Sequence, residues 1–519
     1  MNVTDTLRAG KGPSYVYLNR HRKSDEHTLH MYSSRDHLLE RVFATVKGGG
    51  KQYVACNSKD DAKAIAEAVR REYGSERRVQ LITSENSGTE NVQRFIKSIS
   101  SAVADCDVLI VSPALGTGVD ISIKVEAHMF THVFGLFGAG ITTHFDMDQQ
   151  LARVRNTKEQ HVWVSPALRF FEYEVDAIRG SLLANGALPE LLKGYTSEGA
   201  PDYDTDSKLL DVFAQVMSMR YASLNNVREH FLNLKRSEGW KVVDVGAPEM
   251  SLKPTAKKIL DARASVKDRE LDAVVNAKPI TAKEYKEIRD RVNASLDEQM
   301  QLRRYRITEF YGVKDVTHEL VSLDDNGRYP ECVRLFSWFT GVKTHRLWLA
   351  LTESDRLTVE RNGYKRKCDL LKKLLHAAGV VDEAGAVIPM GRFETGSLAS
   401  FINIVKAEAA NIGLILGISM REDFEWKPML QLSAFLKLLG LKLGERQTRY
   451  IDGKKIYSYG LDSDSLARIQ AYSDHYRRGF KSVHGALDSD TGDWDLVVRN
   501  GEIKVTRFRK IVFDDHVSE

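Results

Sequence analysis

The sequence predicts an α/β unit on a parallel sheet over residues 36–180, followed by mostly α-helical domains. Two observations predict it. Between positions 52 and 164, short apolar runs alternate with amphipathic helical stretches, and this alternation builds parallel sheets with right-handed crossovers. Beyond position 208 the apolar period becomes helical, and the clearest strand signal there is an Asp-Gly pair between two alternating runs.

The elements follow in order. Residues 52–58, Gln-Tyr-Val-Ala-Cys-Asn-Ser, are an apolar run with a polar end, and 60–73 repeat Ala64, Ile65, Ala68 and Val69 at helical spacing before Gly74. Residues 79–83 read as a strand, 90–102 as a helix and 108–111 as a strand buried on both faces, while 132–137 and 161–164 extend the sheet. Ligand-binding residues in such sheets collect at the carboxyl ends of the strands. Asn57 and Ser58, Ser112 through Asp120, and Gln149 through Arg155 are all expected on that edge.

Residues 197–207 are polar, acidic and broken by Gly and Pro, which marks a linker. Residues 209–236 and 281–305 read as helices, and Leu302-Arg-Arg-Tyr-Arg306 is either a grip on a phosphate backbone or a solvated helix end. A loop is expected at 324–330, then helices at 397–415 and 428–439, then a hairpin over 447–459 turning at Asp452-Gly453. Helix, helix and basic hairpin suggest a winged helix with Arg446, Arg449, Lys454 and Lys455 on the wing; a small packing domain is the alternative. The expected division is 1–35 as an N-terminal extension, 36–180 as the α/β unit, 181–320 as a helical domain, 321–478 as a helical domain with the winged helix, and 479–519 as a tail.

Bulk properties bound the function. The 519 residues suffice for about three domains. With 75 Lys and Arg against 71 acids, the net charge of +4 means that nucleic-acid affinity must come from local patches. Cys56, Cys106, Cys332 and Cys368 show no metal-ligand spacing and suit a reducing cytoplasm. His21, His27, His30 and His37 have no Cys partner and read as a polar surface, so no metal is expected. There is no apolar signal core, and the run at 412–420 is too short to span a bilayer, so a soluble cytoplasmic protein without membrane contact is expected. No nucleophile, base and orienter group together as a metabolic enzyme would require.

Three segments carry the chemistry: Asp107-Val-Leu-Ile-Val-Ser-Pro-Ala-Leu-Gly-Thr-Gly-Val-Asp120, Gln149-Gln-Leu-Ala-Arg-Val-Arg155 and His161-Val-Trp-Val-Ser165. Their order resembles motifs V and VI of superfamily 2 helicases, which lie on the second of two RecA-like lobes. A first lobe needs a phosphate loop, Gly-x-x-x-x-Gly-Lys-Ser/Thr, whose backbone amides wrap the phosphates. Gly48-Gly49-Gly50-Lys51 has Thr45 in place of the first Gly and Gln52 in place of the hydroxyl residue. Gly10-Lys11 and Gly453-Lys454 also lack the hydroxyl, and Asp25-Glu26-His27-Thr28 follows polar residues rather than an apolar strand.

The resemblance implies that Arg153 is an arginine finger, Arg155 a second contact and Gln149 a hydrogen-bonding neighbour. Gly118 and Asp120 match the pair that links nucleotide state to strand contact, and Ser112 and Thr117, with Asn57 and Ser58, would hold single-stranded DNA. Ala152 and Asn156 depart from the usual Gly-Arg-x-Gly-Arg pattern and leave the choice of finger open. ATP and Mg²⁺ would be cofactors only once a partner chain supplies a first lobe. More narrowly, Gly118-Val-Asp120, Phe134-Gly-Leu-Phe137 and Gln150 to Asn156 look like the helicase part of plasmid replication proteins of the cyanobacterial RepA type and, more distantly, of herpesvirus origin-binding helicases. The chain would then correspond to the carboxyl-terminal portion of a replication-initiation helicase acting on single-stranded or origin DNA. A non-enzymatic DNA-binding adaptor that keeps the lobe as a scaffold is the other reading.

Overall fold

The computed structural model describes residues 26–115, 119, 121–122, 130–155, 157–185, 191–195, 201–291, 293–341, 364–451, 454–483, 496–499 and 502–505. Gly116, Thr117, Gly118, Asp120, Asn156 and the Asp452-Gly453 turn lie outside the described residues.

The core is a seven-stranded, all-parallel sheet. Its strands are β1 (Thr28–Tyr32), β2 (Gln52–Cys56), β3 (Val79–Ile82), β4 (Val108–Val111), β5 (His132–Phe137), β6 (Glu159–Val164) and β7 (Lys241–Val245), in the order β3-β4-β2-β5-β6-β1-β7. Helices cover both faces. On one, α1 (Arg35–Lys47), α2 (Lys59–Tyr73) and residues Ile259 and Ala262 of a later helix pack on Val54, Val108, Ile110 and Phe134. On the other, α3 (Glu90–Lys97), α4 (His144–Leu151) and a second later helix bearing Val227 and Phe231 pack on Tyr53, Leu109, Val133 and Phe137. Strands buried on both sides read as continuous apolar runs, which is why β2, β4 and β5 are legible in the sequence.

The sheet is wider than expected. β1 comes from the region assigned to an N-terminal extension and β7 from the region assigned to a helical domain, so the α/β unit extends beyond 36–180 in both directions. Neither strand is a continuous apolar run: β1 alternates half-buried and buried residues around His30, and β7 is largely half-exposed at the sheet edge.

The rest is mostly helical: α5 (Val175–Asn185), α6 (Lys208–Asn225), α7 (Val227–Ser237), α8 (Lys253–Val275), α9 (Ala282–Arg289), α10 (Leu296–Tyr311), α11 (His318–Asp324), α12 (Arg328–Gly341), α13 (Tyr364–Ala377), α14 (Ala399–Ala407), α15 (Pro428–Leu438) and α16 (Ser463–Val483). α7 and α8 are the two later helices that cover the sheet. Each long helix expected at 90–102, 209–236, 281–305 and 397–415 is broken. At Asn226 the backbone is non-helical, with φ −140° and ψ 60°, and the helix ends and restarts there. At Ser295 a capping box with Glu298 starts a new helix. The loop expected at 324–330 shrinks to a tight turn in which Asp325 and Asn326 take positive φ. Tyr305 of the expected basic-aromatic segment stacks on Tyr285 at 4.5 Å, which commits one face of its ring to the fold.

Residues 364–469, together with Val333, Phe336 and Phe339 of α12, share one core built on Phe393, Phe401, Leu432 and Phe435. Its small sheet contains β8 (Phe393–Glu394), β9 (Gln447–Ile451) and β10 (Lys454–Tyr459), with β10 in the middle and antiparallel to both neighbours. The element order is therefore α13, β8, α14, α15, β9, β10. Among the described residues no single helix is long and apolar enough to cross a membrane.

Candidate functional site

In a doubly wound sheet the crevice lies where neighbouring strands send their connections in opposite directions. β2 leads through α2 toward β3, and the adjacent β5 leads through α4 toward β6, so the carboxyl ends of β2 and β5 form such a point. Asn57 occupies it. Its Nδ2 donates to the Gly138 carbonyl at 2.8 Å and to Thr142 Oγ1 at 3.1 Å, while its Oδ1 accepts from the Gly138 amide at 2.8 Å. The buried side chain thus fastens the two strand ends together. Ser58 caps α2 by accepting from the Asp61 amide, and buried Ser112 accepts from the Ala114 amide at 3.4 Å. Arg228 of α7 donates to the Val164 carbonyl at 2.8 Å and covers the ends of β1 and β6; nothing in the sequence singled it out.

The arginine turn lies elsewhere. Gln149, Arg153 and Arg155 precede β6, and in a parallel sheet the residues before a strand sit at its amino end. The expectation of a single edge carrying every motif residue is therefore corrected: Asn57, Ser58 and Ser112 stand at the carboxyl edge, and the Arg153–Arg155 turn lies toward the amino side. Tyr53, near the start of β2, donates to the Gln150 carbonyl at 3.0 Å and ties the end of α4 to that side. Burial pushes the Tyr53 phenol far above its usual range, with nearby Arg153 opposing this, so the hydroxyl stays a donor. Arg153 is half-buried and Arg155 exposed.

The chain leaves β4 at Ser112 and by Ile121 lies beside this turn. The Ile121 amide donates to the Arg153 carbonyl at 2.9 Å, and Ile121 and Val154 form a parallel bridge. The chain just beyond Asp120 thus adjoins the segment holding both arginines, although more than thirty positions separate them in sequence. α4 itself is anchored by buried Lys235, which pairs with Asp148 and lies 4.4 Å from the Trp240 ring.

The glycine run is not a phosphate loop. Gly48 caps the carboxyl end of α1, with its amide on Ala44 and Val46, and Lys51 Nζ donates to the carbonyls of Val103 and Ala104. The segment joins a helix to a strand, whereas phosphate cradling requires a strand leading into a helix N-terminus.

The hairpin forms in the expected register, with Gln447 opposite Ser458 and Ile451 opposite Lys454. Along β9, Gln447, Thr448, Arg449 and Tyr450 are all exposed. Tyr450 pairs across the ladder with Lys455, and Tyr457 lies 4.7 Å from the Arg446 guanidinium and 5.4 Å from Lys455 Nζ. Arg449 points to the opposite face by strand alternation. The side chain of Lys454 lies outside the described residues. Two of the expected cations therefore flank an aromatic ring, which neither composition nor spacing revealed.

One cluster went unread. His30 is half-buried within the sheet rather than on a polar surface, and its ring stacks on that of His161 at 4.5 Å and 9°. The Oε2 of Glu159 lies 3.6 Å from His30 Nε2 and 4.0 Å from His161 Nε2. Its members come from strands more than a hundred positions apart, so no local spacing could disclose it.

No family model matches the sequence. The chain is 25% identical over 473 residues to an uncharacterized protein of Picosynechococcus sp. (strain ATCC 27264 / PCC 7002 / PR-6), an alignment covering 86% of this chain and 46% of that protein. The chain thus matches about half the length of this curated relative.

Proposed function

We propose that the chain is the second motor lobe and DNA-binding portion of a replication-initiation DNA helicase of a plasmid, phage or other mobile element. A RecA-like lobe lacking a phosphate loop needs a first lobe in trans to bind ATP and Mg²⁺ and hydrolyse the nucleotide. The observation that carries this reading is the Ile121–Val154 bridge, which joins the residue just after the first helicase-like segment to the arginine segment on an all-parallel, doubly wound sheet. In this arrangement Arg153 or Arg155 would reach across a lobe interface to the γ-phosphate, where a planar, permanently charged guanidinium stabilises the charge of the transition state. Gln149, Gly118 and Asp120 would support that contact, and Thr117 and Ser112 would face single-stranded DNA. The part of the Picosynechococcus relative outside the match is where such a first lobe is to be sought.

The carboxyl-terminal element order and the β8-β10-β9 arrangement support a winged helix whose wing is the β9–β10 hairpin. Arg446, Arg449, Lys454 and Lys455 would contact phosphates there without reading sequence. The adaptor reading is favoured by one observation: the polar atoms of Asn57 are consumed within the fold, as a scaffold requires.

The test is ATP hydrolysis with and without single-stranded DNA, by the chain alone and after addition of a candidate first-lobe protein. Hydrolysis is expected only in the mixture, and Arg153→Ala should lower it about 10³-fold. Activity of the chain alone that Arg153→Ala abolishes would mean that a catalytic lobe is formed between copies. Salt-sensitive DNA binding without ATPase in any mixture would favour the adaptor.

A further inference from the structure

We infer that His30, His161 and Glu159 form a binding site for a divalent transition-metal ion of the zinc class. The inference is independent of the helicase reading. It starts from register: β1 and β6 are neighbours, His30 pairs with His161, and Glu159 lies two residues before His161, so all three side chains share one face of the sheet. The ligand atoms lie within 4.8 Å of one another. Nε2 of each histidine is buried and has no hydrogen-bond partner, an arrangement that costs desolvation unless something else engages these atoms.

Zinc takes imidazole nitrogen and carboxylate oxygen at about 2.0–2.2 Å, which in a tetrahedron places ligand atoms about 3.3 Å apart. An imidazole binds a metal in its own plane, so both Nε2 atoms reach one ion only when the two stacked rings tilt toward each other on binding. The surroundings suit the chemistry. The Tyr32 hydroxyl lies 3.3 Å from His161 Nδ1, an outer contact that leaves Nε2 as the ligand nitrogen. Arg41 on α1 and His132 on β5 are the other charged or titratable groups facing His161; Arg41 opposes a cation and the Glu159 carboxylate favours one. Glu159 is 62% exposed, which gives an ion an entry path and leaves room for water to complete its shell. Two imidazoles and one carboxylate match zinc and its neighbours better than calcium or magnesium, which prefer oxygen alone.

The experiment uses the full chain, stripped with chelator and titrated with Zn²⁺ by calorimetry, with bound metal counted by mass spectrometry. One zinc per chain is expected, with affinity falling at least about tenfold in Glu159→Gln and in His30→Asn. Because Glu159 is exposed, its substitution should leave the fold intact, which circular dichroism checks. The tetrahedral visible absorption of Co²⁺ in the wild-type site, lost in both variants, is the second readout. Absence of stoichiometric zinc, or binding that either substitution leaves unchanged, overturns the site.

Discussion

Asn57 illustrates how a motif residue can be spent on architecture. Both of its donor contacts and its acceptor contact run between β2 and the turn after β5, and its side chain is buried. Removing it leaves the Gly138 amide and carbonyl facing a void, and each unsatisfied buried group costs about 1–3 kcal/mol. Asn57→Ala should therefore destabilise the α/β unit by about 3 kcal/mol, read as a lower midpoint in urea with an unchanged slope. Its DNA affinity, measured well below that midpoint, should match the wild type. A loss of affinity without a loss of stability would return Asn57 to the DNA interface. The polar residue after an apolar strand was legible in the sequence, but its partners, some eighty positions away, were not.

Among the elements, the β9–β10 hairpin was the most legible, because an Asp-Gly pair between alternating runs fixes both turn and register. What it presents was less so. Cross-strand pairing places Tyr450 opposite Lys455, while Arg446 and Lys455 flank Tyr457, so one face offers aromatic rings among cations. Bases stack on exposed rings for about 1–3 kcal/mol each, largely irrespective of sequence. Tyr450, 71% exposed, is the ring free to accept one. If the wing binds single strands, Tyr450→Ala should weaken binding about tenfold at constant salt, while Lys455→Ala should also flatten the salt dependence. Fluorescence anisotropy with a labelled oligonucleotide over a salt series separates the two effects. Equal affinity for all three proteins would remove the hairpin from the interface.

At the scale of the whole molecule, legibility follows the range of the interactions. Strands buried on both faces announce themselves through local composition, whereas β1 and β7 join the sheet only through partners far along the chain. The same limit hid the bonds that join the α/β unit to its helices. Glu85, in the loop after β3, accepts from Lys59 at 2.7 Å and pairs with Lys63; Lys63 also reaches Glu270 of α8 at 2.6 Å, and the Glu85 carbonyl accepts from Gln299 of α10 at 2.9 Å. Burial alone would raise the Glu85 carboxyl, but the hydrogen bonds from Lys59 and Lys63 outweigh it and hold the group below its usual range. A carboxyl depressed on folding adds stability that is fully present above its unfolded value and is lost as pH falls through the folded one. Glu85→Gln should thus cost about 1 kcal/mol at neutral pH, a modest figure because the site is partly open to solvent. That difference from wild type should stay constant down to about pH 5 and shrink toward zero below the usual glutamate range. Urea unfolding of both proteins at a series of pH values measures it. A difference that persists in acid would mean that Glu85 acts by packing, and that its charge does not join the sheet to the helices.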